Sequence, residues 1–225
     1  MSNFMYVAPE QMMKDRAEFA QKGIARGRSL IAAMYDTGVV IVAENPSASL
    51  YKVSEIYDRI AFAGVGKYNE FDRLREAGIR WADSTGFTYS RDDVDARALA
   101  NYYAQYLGDT FTEGPKPLEV ELLVVQLGSS LRPTKIYRVA YEGTIADEPR
   151  FAVLGGDAET IRHRFQATVD TANNLSVTLK LAVAAIAGPE REIPTADLEV
   201  GILEDRGHRR TFKRLTDDEV NALRS

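Results

Sequence analysis

The 225-residue chain contains no cysteine. This absence removes a disulfide framework, a thiol nucleophile, iron–sulfur ligation and every zinc site that uses sulfur; it suits a reducing compartment, so a cytoplasmic location is expected. Histidine is almost absent as well: His163 and His208 are the two in the chain. No HxxxH or His/carboxylate spacing joins them, and there is no Gly-x-Ser-x-Gly elbow, so neither a metal site nor a Ser-His-Asp hydrolase is expected. Long apolar runs are lacking: residues 122–125 and 181–186 fall far short of the ~20 needed to span a bilayer, so no membrane partner is expected. Residues 1–8 have neither the basic start nor the apolar core of an export signal. An excess of positive charge is missing too. Lys and Arg number 28 against 33 Asp and Glu, and the formal net charge of −5 argues against nucleic acid as a partner. No cofactor is expected.

What is present reads as one domain, 1–225. Pro9-Glu10 marks a helix start, Met13, Ala17, Ala20 and Ile24 recur at helical spacing, and Gly27 ends the helix. Two β-rich runs, 29–35 and 39–44, flank the turn Asp36-Thr37-Gly38, and 50–56 with 59–63 form a second pair. Helical patterns follow at 67–79 and 94–107, with Ser90 and Asp93 as a capping box and Gly108 as a stop. Strands are expected at 120–127, 135–140 and 151–154. Gly155-Gly156-Asp157 opens a helix through Ile161, Phe165 and Val169, and another through Leu175, Leu179, Val183 and Ile186 stops at Gly188-Pro189. A strand at 198–203, a turn at Arg206-Gly207, a short strand near Thr211-Phe212 and a helix capped by Thr216 and Glu219 complete the chain. Grouped strands and helices with hairpin-length links point to antiparallel sheets covered by helices, an α+β domain.

Few residues carry chemistry on their own. Gly64-Val65-Gly66-Lys67-Tyr68-Asn69 starts like a dinucleotide fingerprint, but Asn69 stands in place of the third glycine, so it reads as a close strand-to-helix turn. Asp157 brings negative charge to its helix start, which opposes anion binding there. His163 reads as solvated. The basic run Arg206-Gly207-His208-Arg209-Arg210 is a charged hairpin tip or a contact for an acidic partner. Asp92-Asp93 and Asp217-Asp218 sit in first helical turns, where the helix dipole favours them. Ser2, exposed by removal of Met1, would have its own amine as base, but nothing in the flanking sequence holds it in a site.

Several separated motifs then coincide with one family. Glu18-Phe19-Ala20 … Ile24-Ala25-Arg26-Gly27, the hairpin at Thr37-Gly38-Val39-Val40, Leu50-Tyr51-Lys52-Val53 … Tyr57-Asp58-Arg59-Ile60 and Gly64-Val65-Gly66 resemble the α-subunits of proteasome core particles. Ala43-Glu44-Asn45-Pro46, Gly66-Lys67-Tyr68-Asn69-Glu70-Phe71-Asp72 and Ile145-Ala146-Asp147-Glu148-Pro149 make the resemblance one to the actinobacterial type. It runs from about Pro9 to Leu223.

The resemblance implies a four-layer αββα sandwich of two antiparallel sheets with an extra N-terminal helix, the N-terminal nucleophile hydrolase fold: tail 1–8, helix 9–27, sandwich 28–225. Catalytic relatives, the β-subunits, expose a threonine at the start of the first strand. Here that strand begins near Arg28-Ser29, inside the chain and without a Gly-Thr junction, so a silent subunit is implied; the rival is an active hydrolase using Ser2 or an unmasked Ser29. Also implied are a homo-heptameric α-ring with heterologous interfaces, stacking on β-subunits, and protein substrates. The first helix, through Met13 and Ile24, would pack at the ring interface and against the next ring. Phe4, Met5, Tyr6, Val7, Ala8 and Pro9 would form a gate on the ring axis, although the Tyr-Asp-Arg triplet of archaeal and eukaryotic relatives is absent from that region. A ring-shaped ATPase activator would insert C-terminal tails into pockets formed by Lys52, Gly66, Glu18 and Gly27, with Lys52 pairing the tail carboxylate.

Overall fold

A computed structural model describes residues 8–130, 132–171 and 173–225. The central strands of both sheets are apolar on both sides. Strand β2 (Gly38–Glu44) is buried at every position, as is β8 (Phe151–Leu154), while β1 (Leu30–Tyr35) and β9 (Leu198–Glu204) each have one half-buried residue. With β10 (Phe212–Arg214) they form one sheet, ordered β10-β9-β2-β1-β8. The second sheet is ordered β3-β4-β5-β6-β7, from β3 (Val53–Tyr57), β4 (Ile60–Gly66), β5 (Val120–Gln126), β6 (Lys135–Val139) and β7 (Ile145–Glu148). Every described pairing is antiparallel. Antiparallel strands usually alternate apolar and polar residues, because one face is wet. Continuous apolar runs here require both faces of each sheet to be covered, which dictates four layers.

Alternate residues of one strand serve different cores. Leu30 and Ala32 of β1 meet Ala61, Ala63, Leu123 and Val125 between the sheets. Ile31 and Ala33 face outward onto α4 (Ala158–Gln166) and α5 (Leu175–Ala187), with Val220 of α6 (Asp217–Arg224) in the same core. The other outer layer is α2 (Tyr68–Thr88) and α3 (Ala96–Glu113), where Phe71, Leu74, Leu99 and Tyr103 pack on Phe62, Leu122 and Val124. Trp81, the one tryptophan, stacks on Tyr102 between α2 and α3 with ring centroids 6.1 Å apart. The α+β, αββα expectation is the observed fold. Among the described residues no helix is long and apolar enough to cross a membrane.

Several element boundaries differ from the expectation for identifiable reasons. Helix α2 runs nine residues past Ile79, because its inner face becomes small: Gly78 lies under Tyr103, Ala82 is buried and Gly86 lies under Tyr57, a surface with no apolar periodicity to read. Ser90 caps a 3-10 turn, Arg91–Asp93, and Asp95 caps α3 instead, accepting from Ala98 N at 2.9 Å. Gly108 does not stop α3; it lies inside the helix, where the turn at Gly143 presses onto it. Strand β7, short and half-exposed, was not anticipated, and Val169 falls in a 3-10 turn beyond α4. The Thr216/Glu219 capping box and the Asp157 cap form as expected.

Helix α1 (Pro9–Ala25) lies on the outside of this frame. Its apolar stripe divides differently from the expectation: Ile24 and Ala20 are buried within the chain, and Met12 and Phe19 point outward. The reason is the packing of α1 on β4 and β5, which puts Ile24 in the core between the sheets with Val65 and Leu30. Arg16 fixes the helix at its middle. Its guanidinium donates to the carbonyls of Phe111 (2.6 Å), Thr110 (3.0 Å) and Gly114 (2.9 Å) at the C-terminal end of α3, where Thr110 O also accepts from the capping Gly114 N–H. Arg16→Ala is therefore expected to cost about 2 kcal/mol, the range for hydrogen bonds from a charged donor. In hydrogen exchange the loss of protection should concentrate in α1 and the last turn of α3, and uniform protection equal to the parent's would refute the assignment.

Candidate docking site

Lys52 precedes β3 at the end of the sheets where α1 joins β1. Its Nζ donates to the carbonyls of Arg28 (2.8 Å) and Glu44 (3.1 Å). An ammonium has three protons to give. Lys52 forms no ion pair among the described residues, so one donor direction is left uncommitted. Burial pulls its pKa down to about 8; the charges of Glu199 and Glu44 push it up, and Arg28 pushes it down further. At neutral pH the amine is charged.

The ground beneath Lys52 is held by two buried carboxylates. Glu44, the last residue of β2, accepts from both guanidinium nitrogens of Arg191 (2.9 and 2.7 Å) and from Arg28. The Arg191 hydrogen bonds hold its carboxyl below the ordinary glutamate range against the opposing effect of burial. Glu199, the second residue of β9 in the other sheet, accepts from the backbone N–H of Lys52 (2.7 Å) and of Val53 (3.1 Å). It also accepts from Asn45 Nδ2 (2.8 Å) and Arg214 (3.2 Å). Asn45 in turn donates to Leu50 O at 2.7 Å, closing the 45–52 loop. These acids were not singled out from the sequence as site residues. The available signal was a glutamate within an otherwise apolar strand, since such residues are buried almost only when paired.

Two of the anticipated glycines meet beside this network. A Cβ on Gly27 would lie 3.1 Å from Gly66 N, so the end of α1 and the end of β4 touch through backbone. Gly66 has φ +110°, and any side chain there would overlap the carbonyl oxygen of Glu119. Gly156 N donates to Gly27 O at 2.9 Å, completing a glycine seam around the chain entering β1. Glu18 is not brought into the cluster: it lies on the exposed side of α1, 3.8 Å from Lys22. Of the expected gate residues, Phe4, Met5, Tyr6 and Val7 lie outside the described residues, as does Ser2. Ala8 is the exposed N-cap of α1 and Pro9 its first residue.

Ser29 is buried. Its Oγ donates to Gly155 O (3.2 Å), its carbonyl accepts from Glu44 N (3.0 Å), and the backbone of Gly156 closes over the hydroxyl. His163 is exposed and 3.4 Å from Glu159, and the basic turn pairs inward, Arg210 with Glu55 and Arg209 with Asp58.

Glu199→Gln tests the network. A carboxamide cannot accept from both backbone N–H groups with two oxygens, so one buried donor is orphaned, at an expected cost of about 2 kcal/mol in denaturant unfolding. Loss of the negative charge should also lower the Lys52 pKa below about 8. An NMR titration of the Lys52 Cε resonance reads it directly; an unchanged or raised midpoint would contradict the electrostatic part.

Residues 24–192 match the family described as Proteasome subunit. The proteasome subunit alpha of Acidimicrobium ferrooxidans is 60% identical over 220 residues, covering 98% of this chain and 95% of that protein. That of Sanguibacter keddieii is 52% identical over 96% of this chain and 86% of its own length, and that of an Arthrobacter species 48% identical over 100% and 99%. The chain belongs to the proteasome subunit family, in its actinobacterial α-subunit branch.

Proposed function

We propose that this chain is the non-catalytic outer-ring subunit of a cytoplasmic bacterial proteasome core, assembled as a homo-heptamer on rings of catalytic β-subunits. In this reading it gates entry of protein substrates and docks a ring-shaped ATPase activator by its C-terminal tails. The observation that carries the docking role is the Lys52 amine: a charged group on two backbone carbonyls, with a donor uncommitted and no carboxylate of its own. A chain-end carboxylate is the ligand such a group lacks, and the contact would be charge-assisted. Seven shallow sites on one ring would gain their strength from avidity. The silent role is supported by Ser29, whose nitrogen is a peptide nitrogen following Arg28 and whose hydroxyl is closed in by Gly155 and Gly156. A nucleophile of this class needs its own free amine as base.

Lys52→Ala is expected to reduce activator-stimulated proteolysis by ten-fold or more while the core particle still assembles, as read by native mass spectrometry and a protein-degradation assay. Equal stimulation would remove Lys52 from the pocket. Docking should also depend on pH with a definite sign. Lys52 is protonated below about 8 and loses its charge as pH rises through that value, so affinity for a tail peptide should hold from pH 6 to 7.5 and fall above 8. The Lys52→Ala core should lack that decline.

Deleting residues 1–8 tests the gate independently. Hydrolysis of short peptides by the assembled core should rise several-fold without any activator. An unchanged rate would place the gate elsewhere.

A further inference from the structure

A lysine reacts with an electrophile only through its neutral form, so its chemistry depends on what surrounds the amine. Lys22, Lys67, Lys116, Lys135 and Lys213 each face a carboxylate, and Lys14 and Lys180 stand exposed on their helices. Both settings favour the charged form, by an opposite charge or by water. Lys52 differs. Its Nζ rests on two backbone carbonyls, Arg28 O at 2.8 Å and Glu44 O at 3.1 Å, and has no ion pair among the described residues. The two acids beneath it are engaged elsewhere, Glu44 by Arg191 and Arg28, and Glu199 by two backbone N–H groups, Asn45 and Arg214.

This setting suits a neutral amine. A neutral Nζ carries two hydrogens and one lone pair. The two carbonyls take both hydrogens, so the lone pair is left in the third direction, the one that the charged form leaves uncommitted. Access lies beside Leu50 and Tyr51, which are both exposed, and Lys52 itself is half-buried. Burial, with the Arg28 charge adding to it, brings the pKa to about 8 against the upward pull of Glu199 and Glu44. A lysine desolvated next to another cation is a recognised way of making an amine nucleophilic.

We infer that Lys52 is an acylation site that takes its acyl group from acyl phosphates without an enzyme, and that this modification closes the docking site. The acylation stands on the geometry of the amine alone; the closing of the site rests on the docking reading above. Arg28 beside the amine favours a donor with negative charge on its leaving group over a neutral one. In the transfer the Nζ lone pair attacks the acyl carbonyl carbon and the N–C bond forms. The bond from that carbon to the phosphate oxygen breaks, inorganic phosphate leaves with the electron pair, and the amine gives one proton to water. The amide that results has one N–H and no charge, so it can hold only one of the two carbonyls and offers nothing to a chain-end carboxylate.

At pH 7.4 an amine of pKa about 8 is about one-fifth neutral, against about 0.1% for an ordinary lysine, and its lower basicity takes back part of that gain, leaving about ten-fold. The test treats the whole chain with acetyl phosphate and follows each lysine by peptide mass spectrometry. Lys52 should be acetylated about ten-fold faster than Lys14 and Lys180 at pH 7.4, and its rate should level off above pH 8 while theirs still rise. Arg28→Ala should slow the reaction with acetyl phosphate more than that with the neutral N-hydroxysuccinimide ester of acetic acid; equal slowing would overturn the choice of donor. A Lys52 rate no greater than that of Lys180, or one still climbing at pH 9.5, would overturn the inference and leave the docking reading standing. Core particles acetylated at Lys52 should lose activator-stimulated proteolysis as Lys52→Ala cores do. Rapid acetylation with stimulation intact would uphold the site and overturn the closing of docking.

Discussion

Dryness on both sides of each sheet is the constraint from which the rest of this molecule follows. A strand such as β2, with no exposed residue, cannot face water, so each sheet needs a cover outside and a partner inside. Helices α2 and α3 supply one cover and α4 to α6 the other, and the two inner faces supply each other. Burying residues of about 2 kcal/mol apiece on both faces gives a sandwich stable enough to hold irregular features at its rim. One of those features, the glycine seam beside Lys52, is where the docking role is proposed to lie.

Among the few polar groups admitted into this dry frame, two carboxylates are heavily engaged. Glu199 reaches across from one sheet to the start of a strand in the other and binds two successive backbone N–H groups, so it joins the sheets and fixes the loop carrying Lys52 at once. Glu44 performs a similar task with two arginines distant in sequence, Arg28 and Arg191. A buried carboxylate with three or four donors is tolerated, whereas one that loses a donor leaves an expensive vacancy. Lys52 is thereby positioned by buried acids of the other sheet.

Much of the fold could be read from the sequence because its signals were local. The Asp36-Thr37-Gly38 hairpin, the Thr216/Glu219 box and the Gly188 stop each rest on neighbouring residues, and each is observed. Errors arose where tertiary contact replaced local preference. Gly108 looked like a terminator, yet a turn from across the sheet packs on it; α2 seemed to end at Ile79, yet its small inner face continues beneath aromatic rings. In the site, Gly27 and Gly66 were named from resemblance and do meet, while Glu18 lies apart on the exposed side of α1. Glu199 and Arg191 escaped notice because their partners are about 150 positions away, a pairing that no local pattern contains.

The stacked pair Trp81 and Tyr102 has an optical consequence. A lone indole in a 225-residue chain makes intrinsic fluorescence a single-site signal, and this indole sits half-buried between α2 and α3. Its emission wavelength and quenching report the polarity and tightness of that helix pair and of nothing else in the subunit. Any event that levers α2 against α3 becomes visible in solution without a label, with the unmodified chain as its own probe.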